Sequence, residues 1–79
     1  MSQLAFNMLD GAGLAHIRFR GISRAVALVQ LRVTTASTEA EIRAALSEYL
    51  AVGLADLNGH VIERHPSGNI TLRPEAIFG

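Results

Sequence analysis

Apolar residues recur at steps of three and four in the second half of the chain and predict an amphipathic helix over residues 38–57. A capping box begins this helix, because the Thr38 hydroxyl accepts from a helix amide while the Glu41 carboxylate reaches back to the cap amide. Asn58 and Gly59 supply the left-handed residue that ends it. The apolar stripe comprises Ile42, Leu46, Tyr49, Leu50, Gly53, Leu54 and Leu57.

Two short strand-like runs after the helix predict a β-hairpin over residues 60–64 and 69–73. A proline between them sets φ for the turn, and a glycine tolerates the positive φ that closes it. Alternation directs Ile70 and Leu72 toward the core. Pro74 ends the ladder, because proline cannot donate a backbone hydrogen bond.

The first half of the chain predicts three further strands. Apolar residues alternate with polar ones over residues 2–9 and 15–20, and β-branched residues favour a long central strand over residues 25–35. Glycine-containing segments, including residues 21–24, supply the turns. Two helical alternatives remain open, because residues 22–33 also fit a helical stripe and residues 2–9 could form a short helix.

These elements predict an α+β fold: a mainly antiparallel sheet with one amphipathic helix packed on one face, in the order β-β-β-α-β-β. The 79 residues suffice for one small domain spanning residues 1–79. Cysteine is absent, which excludes a disulfide framework and favours a reducing compartment. Residues 1–10 lack a signal-peptide pattern, and no apolar run is long enough to span a bilayer. We therefore expect a cytoplasmic protein without membrane contact.

Composition excludes a disordered chain, since 49% of the residues are apolar and 18% are charged. Seven acidic residues balance seven basic ones, so the formal net charge is zero. All seven basic residues are arginines, which is typical of the high-GC coding composition of many bacteria. A functional reading is that planar guanidinium groups serve bidentate or stacked contacts.

The arginines of the first half form the main candidate binding cluster. Alternation predicts Arg18 and Arg20 on one strand face, with Arg24 and Arg32 beside them on the next strand and His16 among them. Such a cluster is a candidate contact for an anion or a partner, and it supports nucleic-acid or polyanion binding as an alternative function. The neutral chain and its few aromatic residues argue against that alternative.

No catalytic, cofactor or metal site is expected. His60, Glu63 and His65 resemble a ligand cluster in spacing, but strand alternation directs the two histidines to opposite faces. The glycines near residue 12 lack the third glycine and the following helix of a phosphate loop. His16 is the only residue on which an enzymatic hypothesis rests, as a general base without an orienting carboxylate nearby in sequence.

Surplus apolar surface supports a protein-binding function. Val26 and Leu28 are expected on the sheet face that the helix leaves uncovered, and Ile77 and Phe78 form an apolar tail. These four residues are the candidate interface of a homo-oligomer or of a complex with another protein. The sequence therefore predicts a small, non-enzymatic protein–protein interaction or accessory module that associates with itself and needs no cofactor.

Overall fold

The computed structural model describes residues 13–76 and has an α+β fold, in which one main helix packs on a four-stranded mixed sheet. The elements are β1 (Leu14–Phe19), β2 (Ile22–Ala27), α1 (Leu28–Leu31), α2 (Glu39–Leu50), a 3₁₀ helix (Leu54–Leu57), β3 (His60–Arg64) and β4 (Ile70–Pro74). The predicted α+β class is confirmed. The strand or helix expected over residues 2–9 and the tail residues Ile77 and Phe78 lie outside the described residues.

Two hairpins build the sheet, whose strand order is β2-β1-β4-β3. β1 pairs with β2 and β3 pairs with β4, both in antiparallel register. The two hairpins meet where β1 and β4 lie parallel, with Ala15 opposite Ile70 and Ile17 opposite Leu72. The sheet is therefore mixed, and β2 and β3 form its edges among the described residues.

The hydrophobic core lies between α2 and one face of the sheet. Ile42 and Leu46 of α2 are 1% and 0% exposed, and they pack in the same cluster as Ile17 and Leu72 of the two central strands. Burying side chains of this size stabilises the fold by about 1.5–3 kcal/mol each. The alternation that directs Ile70 and Leu72 inward is confirmed, since both are buried.

The turn between β1 and β2 is shorter than the sequence predicts. It consists of Arg20 and Gly21, whose φ angles are 52° and 79°, rather than of residues 21–24. Two successive positive φ values define a type I′ turn, which matches the right-handed twist of the flanking strands. β2 therefore begins at Ile22, immediately after the turn.

The long strand predicted over residues 25–35 is wrong beyond Ala27, and the helix alternative over residues 22–33 is correct only for Leu28–Leu31. Leu28 and Leu31 are both buried, and their spacing of three brings both to the core only in a helical turn. The Leu28 amide donates to the Gly13 carbonyl at 2.9 Å, which fixes the point where the helix begins.

The main helix begins where the sequence predicts and ends earlier. Thr38 and Glu41 form the predicted capping box, with both reciprocal hydrogen bonds present. The helix ends at Leu50 rather than Leu57, because Ala51 takes a left-handed conformation with φ of 59°. The separate 3₁₀ turn that follows buries Leu57 completely.

Gly13, just before β1, lies close to Gly68 in the turn between β3 and β4. A Cβ added at Gly13 would lie 2.6 Å from the Gly68 carbonyl oxygen and 2.8 Å from Leu28 Cδ1. We expect Gly13→Ala to lower the free energy of unfolding by about 1–3 kcal/mol, measured by urea denaturation, because the added carbon overpacks this contact.

Gly53→Ala is the matched control for this prediction. Its added Cβ would meet only the Asp56 carboxylate, at an ordinary 3.6 Å, while sharing the unfolded-state effect of a glycine-to-alanine change. We expect the stability of this variant to stay within about 0.5 kcal/mol of the parent. Equal stability of the two variants would contradict the close approach at Gly13.

Candidate functional site

The sheet face turned away from α2, called the open face below, is polar. The register places Ala25, His16, Thr71 and Glu63 side by side in one row across all four strands. Arg18 lies on the same face, because it follows His16 by two positions along β1. His16 and Arg18 are both exposed there. No helix formed by residues 13–76 covers this face.

The four arginines of the predicted cluster do not share one surface. Only Arg18 is on the open face, because Arg20 lies in the turn rather than on the strand. Arg24 pairs with Ile17 and therefore shares the helix-facing side of the sheet. Arg32 ends α1 in a left-handed conformation. The shortened turn and the early end of β2 are the reasons why the expected single cluster does not form.

Two polar pairs occupy the β3–β4 side of the open face. Arg73 donates to the Glu63 carboxylate at 3.0 Å, and His65 Nε2 lies 2.9 Å from Thr71 Oγ1. The hydrogen bond from Arg73 and its positive charge hold the pKa of Glu63 below its ordinary value. Both partners are exposed, so this pair is a solvated surface contact that contributes little to stability.

His60 is separated from the open face. Its ring packs against the Phe19 ring on the helix-facing side in a tilted arrangement, with 5.1 Å between ring centroids. Its Nδ1 is buried without a hydrogen-bond partner among the described residues. Arg43 of α2 donates to the His60 carbonyl at 2.8 Å. Within residues 13–76 no three histidine or carboxylate side chains gather closely enough to hold a metal ion.

Val26 and Leu28 belong to the core of the chain itself. They are 5% and 1% exposed, so the expectation that they lie uncovered on the polar face is wrong. The register turns Val26 to the same side as Ala15, and the helical turn of α1 carries Leu28 inward. The other half of the candidate interface, Ile77 and Phe78, lies outside the described residues.

A groove at the edge of the sheet brings exposed apolar side chains together. It lies between the turn end of β1 and β2 and the C-terminal end of α2, with a volume of about 270 Å³. We call it the edge groove. Its apolar lining comprises Ile17, Phe19, Ile22, Tyr49, Leu50 and Val52.

Burial differs between the floor and the walls of the edge groove. Ile17 and Phe19 on the floor are almost fully buried, whereas Ile22 and Tyr49 on the walls are 55% and 39% exposed. A large aliphatic side chain left half exposed beside an aromatic ring favours contact with a further apolar group. The groove therefore has a buried floor and partly exposed walls, and no residue from 13 to 76 covers its opening.

The strand beside the edge groove has an unpaired outer edge among the described residues, since only β1 pairs with β2. The two-residue turn makes Phe19 and Ile22 a hydrogen-bonded pair, and the alternation along the ladder then directs the backbone groups of Ser23 and Ala25 away from β1. Such outward N–H and C=O groups are a template for another strand.

Two arginines lie at the rim of the edge groove. The Arg20 guanidinium lies 4.7 Å from the centre of the Phe19 ring and is paired with Asp56 at 3.3 Å. Arg24 also lines the groove and forms no ion pair or side-chain hydrogen bond with any residue from 13 to 76. No acidic side chain lines the groove.

Sequence reasoning missed Ile22 and Tyr49 as a pair. Ile22 falls within the turn predicted over residues 21–24, whereas a two-residue turn with glycine at its second position makes it the first residue of a strand. Tyr49 falls within the helical stripe of the sequence, where nothing distinguishes a buried position from one beyond the sheet edge.

Comparisons with known proteins found no matching family model, no matching curated protein and no matching solved structure. None of the helices within residues 13–76 combines the length and apolar character required to cross a bilayer.

The Glu63–Arg73 pair generates a pH-dependent prediction. We expect Arg73→Gln to raise the pKa of Glu63 toward its ordinary value of 4.5, because the two largest causes of the lowered pKa, the hydrogen bond and the positive charge, both come from the arginine. A carboxylate with a lowered pKa stabilises the fold above that ordinary value, and the contribution is lost as the pH falls through the folded-state pKa.

Carbon-13 shifts of the Glu63 carboxyl group, followed during an acid titration, measure this change. Arg64→Gln is the control, since Arg64 binds the Thr35 and Ser37 carbonyls and leaves Glu63 untouched. An unchanged midpoint in Arg73→Gln would show that the ion pair does not persist in solution.

Proposed function

We propose that this chain is a non-enzymatic protein-interaction module of the cytoplasm. It adds an extended segment of a partner protein to the outer edge of β2 and takes an apolar side chain of that segment into the edge groove. The observation that carries the proposal is the half-exposed Ile22, which stands both on the unpaired edge and in the groove wall.

Strand addition accounts for the position of the unpaired β2 edge beside the edge groove. Main-chain hydrogen bonds to an exposed edge supply affinity, and pockets for alternate side chains supply specificity. Ser23 and Ala25 offer the outward backbone groups, and their short side chains leave room for a neighbouring strand on the open face. Ile22 and Arg24 then face the groove side, where the side chains of the added strand are recognised.

Nucleic-acid or polyanion binding is less well supported than protein binding. That function needs several cations on one surface, whereas Arg18 is separated from Arg20 and Arg24 by the thickness of the sheet. Arg73, the other arginine on the open face, is engaged by Glu63. We therefore rank the apolar edge above the arginine face as the binding surface.

Self-association remains a prediction. Of the four candidate interface residues, Val26 and Leu28 are buried within one chain, and Ile77 and Phe78 lie outside the described residues. Size-exclusion chromatography with light scattering tests it over the micromolar range. A dimer that Ile22→Asp dissociates would overturn the assignment of the edge to a foreign segment and give it to a second copy of this chain.

A neutral test peptide of alternating pattern, acetyl-Thr-Val-Thr-Gln-Thr-Phe-Thr-amide, probes the proposed function. We expect its addition at millimolar concentration to shift the backbone amide resonances of Ser23 and Ala25 and the side-chain resonances of Ile22 and Tyr49 in nuclear magnetic resonance spectra. Ile22→Asp should weaken binding about ten-fold, because it removes half of an isoleucine side chain's apolar contact.

Two controls separate strand addition from loose apolar contact. Val29→Asp places the same charge at another exposed β-branched side chain, 66% exposed on α1, and should leave binding unchanged. Methylating the backbone amide nitrogens of the two threonines beside the glutamine should abolish binding. Methylating the backbone amide nitrogen of the glutamine should not. Shifts that map elsewhere, or no shifts at all, would overturn the proposal.

A further inference from the structure

The geometry points to a partner segment that carries a carboxylate two residues from its anchor, the apolar side chain that enters the edge groove. Arg24 is the residue that binds this carboxylate. This inference rests on the proposed strand addition at β2 and adds the chemistry of the partner. The occupant is an extended protein segment in which an aspartate or glutamate lies opposite Arg24 while a large apolar side chain lies opposite Ile22.

Arg24 differs from the other arginines in the contacts that its guanidinium group makes. Arg43 and Arg73 are held by the carboxylates of Glu39 and Glu63. Arg20 is held by Asp56, and the backbone carbonyls of residues 35 and 37 engage Arg64. Arg18 and Arg32 make no such contact among the described residues, but Arg18 lines a separate pocket beside the turn, with Ile22 and Ser23, and Arg32 lies at the end of α1. Neither lines the edge groove. Arg24 alone combines a guanidinium without a described partner and a place in the edge groove.

The position of Arg24 along the ladder suits a cross-strand ion pair. Its backbone groups are directed toward Ile17 of β1, so on the outer edge it occupies a site without hydrogen bonds to the added strand. Opposite side chains approach most closely at such sites, with Cα atoms about 4.5 Å apart. Opposite charges there stabilise the pairing of two strands.

Period-two alternation fixes the spacing of the recognised pattern. Ile22 and Arg24 share one side of β2 and are two residues apart, so the side chains that meet them on an added strand are also two residues apart. For a segment that adds antiparallel to β2, the carboxylate precedes the anchor, and the pattern is an acidic residue, any residue, and a large apolar residue.

Guanidinium chemistry favours a carboxylate over other acceptors at this position. A planar guanidinium binds a carboxylate through two parallel hydrogen bonds, and the adjoining apolar walls lower the local dielectric constant. The groove supplies no acidic side chain of its own, so a carboxylate that enters meets no like charge in the lining.

Exchanging the central residue of the test peptide measures this preference. We compare the glutamine peptide with two others, acetyl-Thr-Val-Thr-Glu-Thr-Phe-Thr-amide and acetyl-Thr-Val-Thr-Lys-Thr-Phe-Thr-amide, by the same resonance titration at low salt. We expect the glutamate peptide to bind about five-fold tighter than the glutamine peptide and the lysine peptide to bind more weakly than both.

Reversing the charge at position 24 of the protein provides the decisive experiment. Arg24→Glu should invert the order, so that the lysine peptide binds tightest, because the attractive pair is restored with opposite signs. Arg18→Glu changes the net charge equally on the open face and should keep the original order. Arg24→Gln, which removes the charge without reversing it, should make the three peptides bind alike if the substituted strand retains its spectrum.

The outcomes separate this inference from the function on which it rests. Equal binding of the three peptides at the edge groove would overturn the role of Arg24 and leave strand addition intact. Binding of none of them would overturn both. A glutamine peptide with a free C-terminal carboxylate tests the other source of the charge, and tighter binding of that peptide than of the glutamate peptide would overturn the side-chain assignment.

Discussion

The parallel pairing of β1 with β4 is the constraint on which the rest of the fold depends. Each hairpin is local in sequence, and neither alone has enough apolar surface to form a core. The parallel register aligns Ala15 with Ile70 and Ile17 with Leu72, so the apolar faces of the two hairpins become one continuous surface. The main helix then packs on that surface, and the two remaining strands are left at the edges.

The edge groove follows from the dimensions of this arrangement. The main helix has twelve residues and is therefore about 18 Å long, enough to cover the central strands. Its end at Leu50 leaves the turn end of β2 without a helix above it, and Ile22 stays half exposed although it faces the helix side. A short helix on a wider sheet thus produces an apolar surface at one corner.

Ionic contacts and the core have different roles in the molecule. Among residues 13–76, three ion pairs lie at the surface, where solvent screens them, and the buried residues are apolar except for Ser47. Arg43 is the most structural of the cations, because it joins α2 to the carbonyls of Leu57 and His60. Arg24 has no comparable role within residues 13–76, and this difference gives the edge groove its chemical character.

Local signals determined much of this protein from the sequence alone. The capping box at Thr38, the terminal hairpin and the inward alternation of β1 depend on residues a few positions apart, and all three are present as predicted. The α+β class follows from the same local patterns. The polar character of the open face also followed from alternation, because the side-chain period of a strand is a local property.

Tertiary structure decided where elements stop and which of their residues meet. Val26 and Leu28 fit a strand and a helix equally well, and only the core that buries both selected a strand end at Ala27 followed by a helical turn. The end of the main helix likewise depended on placing Leu57 against a sheet whose strands are distant in sequence. The edge groove joins residues of the first hairpin to the end of α2, and no local pattern encodes a contact between such distant segments.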